Sequence, residues 1–315
     1  MKWLPERSTQ AVREALLPLG RGLCDAEIRL RPWAGKDDPL WCRGTAFLGE
    51  DWVVKFTWTE PAALKLEREA KILRALARAP SPPPMPELIA ESRDPVLLVH
   101  RRVRGGPVTA AALERCSPAQ RRELADSLAQ VLAQLHAPAL RDSVLETGLE
   151  LRPPVPQANT QALRERLCPL LDPGSAERVR RWCDWVDDQL ASSVPPVLLH
   201  GDFHGMNLLL GGWSVRAVLD FEEAALGDRC YDFRYLPAQA RNVELLLETV
   251  AAYSRATQAE VDVHRVMAWH IRTVLGDALW RTEAAIGLPG GGTPSSWVDQ
   301  LGQRLATLRS GPDRL

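Results

Sequence analysis

The chain has 315 residues, enough to bury a substantial core as one large domain or two lobes. A formal net charge of −1 argues against a protein devoted to duplex nucleic acid, and neither a transmembrane-length apolar run nor a secretory N-terminus is present, so a cytoplasmic protein without membrane contact is expected. Six cysteines (Cys24, Cys42, Cys116, Cys168, Cys183, Cys230) are scattered without a Cys-x-x-Cys pair, which suggests neither a zinc site nor a disulfide framework.

In chain order, a helix is expected within residues 1 to 20, with Val12, Leu16 and Leu17 inward. Strands around Glu27 to Leu30 and Trp41 to Leu48 flank Trp33-Ala-Gly35-Lys-Asp-Asp-Pro39, a loop with a single glycine. Asp51-Trp-Val-Val-Lys55-Phe-Thr reads as a β-branched strand bounded by Gly49 and Pro61. Lysine is scarce in a chain that prefers arginine, so Lys55 in an apolar strand is a meaningful choice, although an edge lysine that discourages aggregation gives the same pattern. A helix from Pro61 to about Arg78 follows, with Leu64, Leu66, Ile72, Leu73 and Leu76 as its apolar side, and both Glu67 and Glu69 can face Lys55. Pro80-Ser-Pro-Pro-Pro-Met-Pro86 is a stiff extended connector. Pro95-Val-Leu-Leu-Val-His100 is an apolar strand that runs into Arg101-Arg-Val103-Arg-Gly105-Gly106, whose three arginines fit a solvated basic face as well as a phosphate or substrate contact.

The remainder reads as mainly helical. Ser117-Pro118-Ala-Gln120 is a capping-box start with proline at the first helical position, followed by Leu124, Leu128, Val131, Leu132 and Leu135 on one side and closed by His136. Residues 137 to 160 are proline-punctuated and read as irregular, and another helix covers Ala176 to Leu190. Helices over roughly Asn242 to Thr257 and Glu260 to Ile286, a glycine-rich break from Gly287 to Gly292 and a final helix from Ser295 complete the chain.

The densest chemistry lies between Val197 and Asp232. A short apolar strand, Val197 to Leu199, delivers His200-Gly-Asp202-Phe-His-Gly-Met-Asn207; the chain then runs through Leu208 to Leu210, turns at Gly211-Gly212 and returns through Val215 to Val218 to Asp220. That hairpin places Asn207 and Asp220 at one open end. A magnesium nucleotide needs one or two protein oxygen ligands, because waters and phosphate oxygens fill its other positions, and these two residues can supply them. An attacking hydroxyl needs a base that orients it and takes its proton late, and Asp202, five residues before Asn207, is placed for that.

This stretch resembles the catalytic loop and metal-binding segment of the aminoglycoside phosphotransferase and choline kinase-like family: His-Gly-Asp, four residues, Asn, then a hydrophobic strand ending in Asp. The resemblance implies an α+β, bilobal, protein-kinase-like fold, with a small antiparallel-sheet lobe carrying one or two helices and a larger, mainly helical C-terminal lobe. Residues 1–103 would form the nucleotide-binding lobe ending in the hinge, and 104–315 the lobe holding catalytic loop, metal site and substrate pocket. It further implies Asp202 as catalytic base, Asn207 and Asp220 as magnesium ligands, and His200 as a brace of the loop. Asp232 would tie down the loop backbone, a role compatible with a helix N-terminal carboxylate. Lys55 would contact the nucleotide phosphates, oriented by Glu69 in preference to Glu67, and the backbone of Arg101 and Val103 would meet adenine, with His100 at the back of the pocket. The loop around Gly35 sits where a phosphate-covering loop belongs, yet one glycine is not a glycine-rich cradle. Gly201 replaces the arginine of protein kinases, and only eleven residues separate Asp220 from Asp232, too few for a peptide-docking segment, so a small-molecule hydroxyl is the expected acceptor.

On the helix that contains His270, residues Thr273, Asp277, Trp280 and Arg281 fall on the same stripe. His270, Asp277 and Trp280 there, with Glu222 and Glu223 beside the metal segment, are the candidate acceptor contacts; a polar seam against the next helix explains the stripe equally well. The expected activity is an ATP- and Mg²⁺-dependent O-phosphotransferase, GTP not excluded, acting on an antibiotic or natural product. A metabolic kinase for a sugar or amino alcohol is the alternative, followed by a nucleotide-binding pseudokinase. A monomer and a homodimer both fit.

Overall fold

The computed structural model describes residues 2–32, 41–239, 243–288 and 291–308. The loop around Gly35 lies outside them. Two short N-terminal helices, α1 (Thr9–Leu16) and α2 (Arg21–Cys24), precede β1 (Ile28–Leu30), β2 (Arg43–Leu48) and β3 (Trp52–Thr57). Then come α3 (Glu60–Arg78), β4 (Leu88–Arg93) and β5 (Val96–Arg101), which complete an antiparallel sheet of order β1-β2-β3-β5-β4.

Strand alternation gives this sheet two different faces. Val54 and Phe56 of β3 and Leu97 and Val99 of β5 point to one side and pack with Val12 and Leu16 of α1. The intervening residues point the other way, and the β3–β5 register sets Lys55 against Leu98 and Val53 against His100. Thus Lys55 and His100 share the face that looks toward the larger lobe. On α3 the buried stripe is Ala62, Ala63, Leu66, Glu69, Ala70, Ile72, Leu73, Ala75 and Leu76, a helical repeat that carries one carboxylate inward.

Two expected core residues are on the surface. Leu17 is 60 % exposed because Pro18 turns the chain into a 3₁₀ segment, Leu17–Leu19, and takes it off the α1 stripe. Leu64 is 53 % exposed, since the inward stripe of α3 runs through Ala63 and Leu66 on either side of it. Strand β4 was not anticipated.

The chain crosses to the larger lobe through β6 (Gly106–Pro107), which pairs with β8 (Leu208–Gly211). Helices α4 (Ala110–Arg115), α5 (Pro118–Leu135) and α6 (Pro138–Glu146) follow, then α7 (Thr160–Ala162), with its π-helical continuation Leu163–Leu167, and α8 (Pro173–Leu190). The capping box of Ser117 and Gln120 is formed, with both reciprocal hydrogen bonds. Part of the stretch expected to be irregular is helical: Pro138 occupies the first turn of α6, a position proline favours.

After β7 (Val197–Leu199), strands β8 and β9 (Ser214–Val218) form the hairpin, turning at Gly212 with φ +68°. Strand β10 (Ala225–Gly227) returns to pair with β7. Helices α9 (Leu236–Gln239), α10 (Glu244–Thr257), α11 (Val263–Glu283) and α12 (Pro294–Leu305) complete the lobe, α10 packing on α5, and α11 on α8 and α12. Trp182, Phe203, Phe221, Phe233 and Tyr253 fill its core. All six cysteines are free and five are buried. No helix among the described residues is long and apolar enough to cross a membrane.

Candidate active site

The loop after β7 is held from beneath by a single buried carboxylate. Asp232 accepts hydrogen bonds from the backbone N–H of His200 (2.8 Å) and Gly201 (2.9 Å), and from His136 Nε2 (3.2 Å). Tyr253 Oη lies 3.1 Å from His136 Nδ1. Asp232 follows a 3₁₀ turn rather than opening a helix; the N-terminal cap there is Asp228, which accepts from Cys230 N at 2.9 Å. Gly201 has φ +83°, and a Cβ at that position would sit 2.0 Å from the Glu223 carbonyl oxygen, so no side chain fits.

His200 joins the two arms of the motif. Its Nε2 donates to the Leu219 carbonyl at 2.9 Å and its Nδ1 accepts from Asp202 N at 3.1 Å, while the rings of Phe203 and Phe221 meet it edge-on. Burial depresses its pKa below the usual histidine value, against the pull of Asp232 and Asp202. The neutral imidazole is therefore the form that both hydrogen bonds require.

Asp202 itself accepts from Asn207 Nδ2 (3.1 Å) and lies 3.2 Å from His204 Nε2. Burial pushes its carboxyl upward, but the His204 hydrogen bond, with the charges of His204 and Arg234, outweighs that and holds it below the ordinary aspartate value. Arg234 is fully enclosed: it donates to the carbonyls of Gly201 (2.7 Å) and Tyr231 (2.9 Å), and its guanidinium lies 3.6 Å from the centre of the Tyr231 ring. Sequence reasoning missed this residue. Its signal is an arginine two positions after a carboxylate that is itself buried.

At the open end of the hairpin, Leu219 N donates to the Asn207 carbonyl at 2.8 Å, which brings Asn207 beside Asp220. Asp220 has φ +67°, a left-handed backbone that aspartate tolerates better than most residues and that turns its carboxylate out of the strand line. Lys55 Nζ lies 2.6 Å from Glu69 Oε1 and 3.0 Å from Asp220 Oδ1. Of the two glutamates on α3, Glu69 reaches Lys55, while Glu67 pairs with Lys2 at 3.3 Å. Burial alone would lower the lysine pKa, yet the two carboxylates reverse that and keep it well above its ordinary value. Asp220 is likewise held far below the usual range, as Lys55 and Arg43 overcome the cost of burial.

These groups line a cavity of about 500 Å³ between the lobes, with His100, Arg101 to Gly105, Phe47, Val53, Leu209 and Phe221 around it. Arg101 and Val103 thus border it, and His100 stands in its wall. Burial, aided by the charge of Lys55, pushes the His100 pKa down to about 3. Asn207 and Asp220 form an all-oxygen donor pair once the Asn207 amide hydrogens are given to Asp202. Among the described residues no group of three or more His, Cys, Asp or Glu is arranged to hold a metal. Oxygen donors of this kind suit a hard cation.

Asp202 lines a second cavity, of about 360 Å³. Glu222, Glu223 and Trp280 line it, with Trp41, Thr273, Tyr231 and Tyr235. His270, expected on this face, is instead 1 % exposed and bonded through Nδ1 to the Arg234 carbonyl at 2.8 Å, so it supports the floor from below. Asp277 does not line the cavity; one turn along α11 it binds Arg281 at 2.8 Å.

The small antiparallel sheet and the helical lobe, with one cavity lined by Asp220 and another by Asp202, define a kinase-like phosphotransferase architecture. The chain belongs to the phosphotransferase enzyme family, whose model matches residues 31–270. It is 31 % identical over 202 residues to viomycin phosphotransferase of Streptomyces vinaceus, a match spanning 61 % of this chain and 68 % of that one. In fold it is similar to aminoglycoside 2'-phosphotransferase-IIIa, solved as a GDP complex, at a TM-score of 0.69 and 18 % identity over 94 % of this chain and 98 % of that one. The macrolide 2'-phosphotransferase of Brachybacterium faecium, an apoenzyme, superposes at a TM-score of 0.60 and 23 % identity over 93 % and 98 % of the two chains. The protein is a phosphotransferase.

Proposed function

We propose that this chain transfers the γ-phosphoryl group of a nucleoside triphosphate, ATP or GTP, to a hydroxyl of an antibiotic or similar natural product. The observation that carries the reading is the position of the two carboxylates: Asp220 faces the cavity between the lobes, Asp202 faces the open one, and the Asn207 amide bridges toward Asp202 at 3.1 Å. Residues 1–103 would act as the nucleotide-binding lobe and 104–315 as the catalytic and acceptor lobe.

In this reading Lys55, fixed by Glu69, holds the donor phosphates, and the backbone of Arg101 and Val103 meets the base. Asn207 and Asp220 would hold Mg²⁺, which when bound neutralises charge on the transferring phosphates. Asp202 accepts a hydrogen bond from the acceptor hydroxyl and takes its proton as the new O–P bond forms and the bond to the leaving diphosphate breaks. His204 and Arg234 keep Asp202 ionised at neutral pH. His200 and Asp232 hold the loop so that the carboxylate does not have to be ordered during the reaction.

The test is nucleoside diphosphate release and acceptor phosphorylation across aminoglycosides, macrolides, viomycin-type peptides, sugars and amino alcohols, with Asp202→Asn as blank. Acceptor-dependent turnover lost in the variant supports the reading. Turnover confined to sugars or amino alcohols would replace the antibiotic acceptor with a metabolic one.

A further inference from the structure

The groups of the acceptor cavity that would attract a positively charged substrate are largely engaged by cations of the protein. Glu222 is bound by Arg43 and lies 3.4 Å from Lys65, and Glu223 lies 2.9 Å from the same lysine. Asp277, just outside the cavity, is closed by Arg281. The aromatic rings are engaged in the same way: the Arg43 guanidinium lies 5.6 Å from the centre of Trp41, and the Arg281 guanidinium 5.6 Å from that of Trp280. Among the described lining residues three cations, Arg43, Lys65 and Arg234, meet three anions, Asp202, Glu222 and Glu223. A polyamine would have to displace arginines and a lysine from formed pairs, and each displaced cation would lose its partner.

The rest of the cavity wall is mixed: Gln157, Thr273, Tyr231 and Tyr235 are polar, while Trp41, Trp280, Val155 and Pro156 form an apolar side. Trp41, from the small lobe, and Trp280, from α11, meet with ring centroids 6.1 Å apart and planes inclined by 33°. A third ring between them would need about 7 Å, two van der Waals contacts, so the pair is a wall and not a slot. Val155, 90 % exposed, and Pro156 extend this wall.

We propose that the acceptor is an amphiphilic hydroxyl compound with at most one positive charge, a macrocycle or fused-ring scaffold whose apolar face rests on Trp41 and Trp280 while a hydroxyl points to Asp202. The proposal rests on the phosphotransferase reading above and narrows its acceptor. Charge compensation by Arg43, Lys65 and Arg281 disfavours polycations, and the tryptophan wall favours an apolar face.

The test compares a macrolide with the aminoglycoside kanamycin as acceptors at about 50 and about 500 mM salt. The expected kcat/KM for the macrolide exceeds that for kanamycin by about 100-fold or more and changes less than about twofold with salt. Trp280→Ala and Trp41→Ala each raise the macrolide KM about tenfold with kcat retained, and Trp280→Phe restores most of it. Lys65→Gln, by uncovering Glu223 while Arg43 still holds Glu222, improves kanamycin use several-fold. A kanamycin kcat/KM above that of the macrolide, or an unchanged macrolide KM in both tryptophan variants, overturns the proposal.

Calorimetric titration with the same two compounds keeps the inference testable where neither is phosphorylated. Macrolide binding weakened by Trp280→Ala supports it, and tighter kanamycin binding or no macrolide binding overturns it. Failure of the phosphotransferase reading looks different, because no acceptor of any class would then gain a phosphoryl group.

Discussion

The two sides of Asp202 are built by opposite means. On the nucleotide side, buried groups determine one another: Asp232 holds the backbone of His200 and Gly201, His200 links Leu219 to Asp202, and Glu69 and Asp220 hold Lys55. On the acceptor side the outer pair reaches solvent, with the Glu223 side chain 52 % exposed and Lys65 36 %, while Glu222 beneath it is buried against Arg43. A group enclosed by partners keeps one geometry, whereas a solvated pair can be rearranged at little cost. The rigid half suits a donor common to many reactions, and the adjustable half suits an acceptor that differs from one enzyme to another.

The contrast can be broken most decisively at the shared carboxylate. Asp202→Asn removes the proposed base but keeps the shape, and turnover should fall about 10³-fold while nucleotide affinity stays within about twofold. Steady-state kinetics with parallel nucleotide titration check both halves of that statement.

Next in size is the buried anchor. Asp232→Ala leaves the N–H groups of His200 and Gly201 without their acceptor, and the expected loss is about 3–5 kcal/mol, read by chemical denaturation. A loss near zero would mean that the loop does not depend on its anchor.

Acid should act through the buried histidines. His100 and His270 both have pKa values depressed to about 3 from 6.5, so the unfolded chain takes up protons that the folded chain refuses. Stability is full above pH 6.5 and falls as pH drops toward 3; at pH 5 each histidine should cost about 2 kcal/mol. Denaturation between pH 7 and pH 5 measures this, and His100→Leu should flatten the profile. At the small end, Glu223→Gln on the acceptor side should change stability by no more than about 0.5 kcal/mol, because its pair with Lys65 is half in solvent. A loss comparable with that of Asp232→Ala would erase the contrast between the two sides.

The same contrast governs what was legible in the sequence. Asp202, Asn207 and Asp220 lie within one short hairpin, so their spacing alone indicated that they meet. Lys55 was readable because lysine is scarce and this one sits in an apolar strand, whereas helical periodicity left Glu67 and Glu69 open and the family resemblance favoured Glu69. The acceptor side is assembled from distant pieces: Trp41 from the small lobe, Val155 from a loop and Trp280 from α11. No local pattern announces such a meeting. Helical periodicity put His270 and Trp280 on one stripe of α11, but α11 packs on α8 and α12, so His270 is covered while Trp280 reaches the cavity. Arg43 and Arg234 escaped notice because arginine is abundant here and its buried members are distinguished only by their partners.

The account rests most directly on where the phosphoryl group goes. Mass spectrometry of the acceptor after turnover with ATP and magnesium, with wild type beside Asp202→Asn, measures this. The expected result is an acceptor carrying one added phosphoryl group with the wild type and almost none with the variant. ADP formed without a phosphorylated acceptor, or an equal yield from the variant, would contradict the assignment of Asp202 as the base that directs transfer to a hydroxyl.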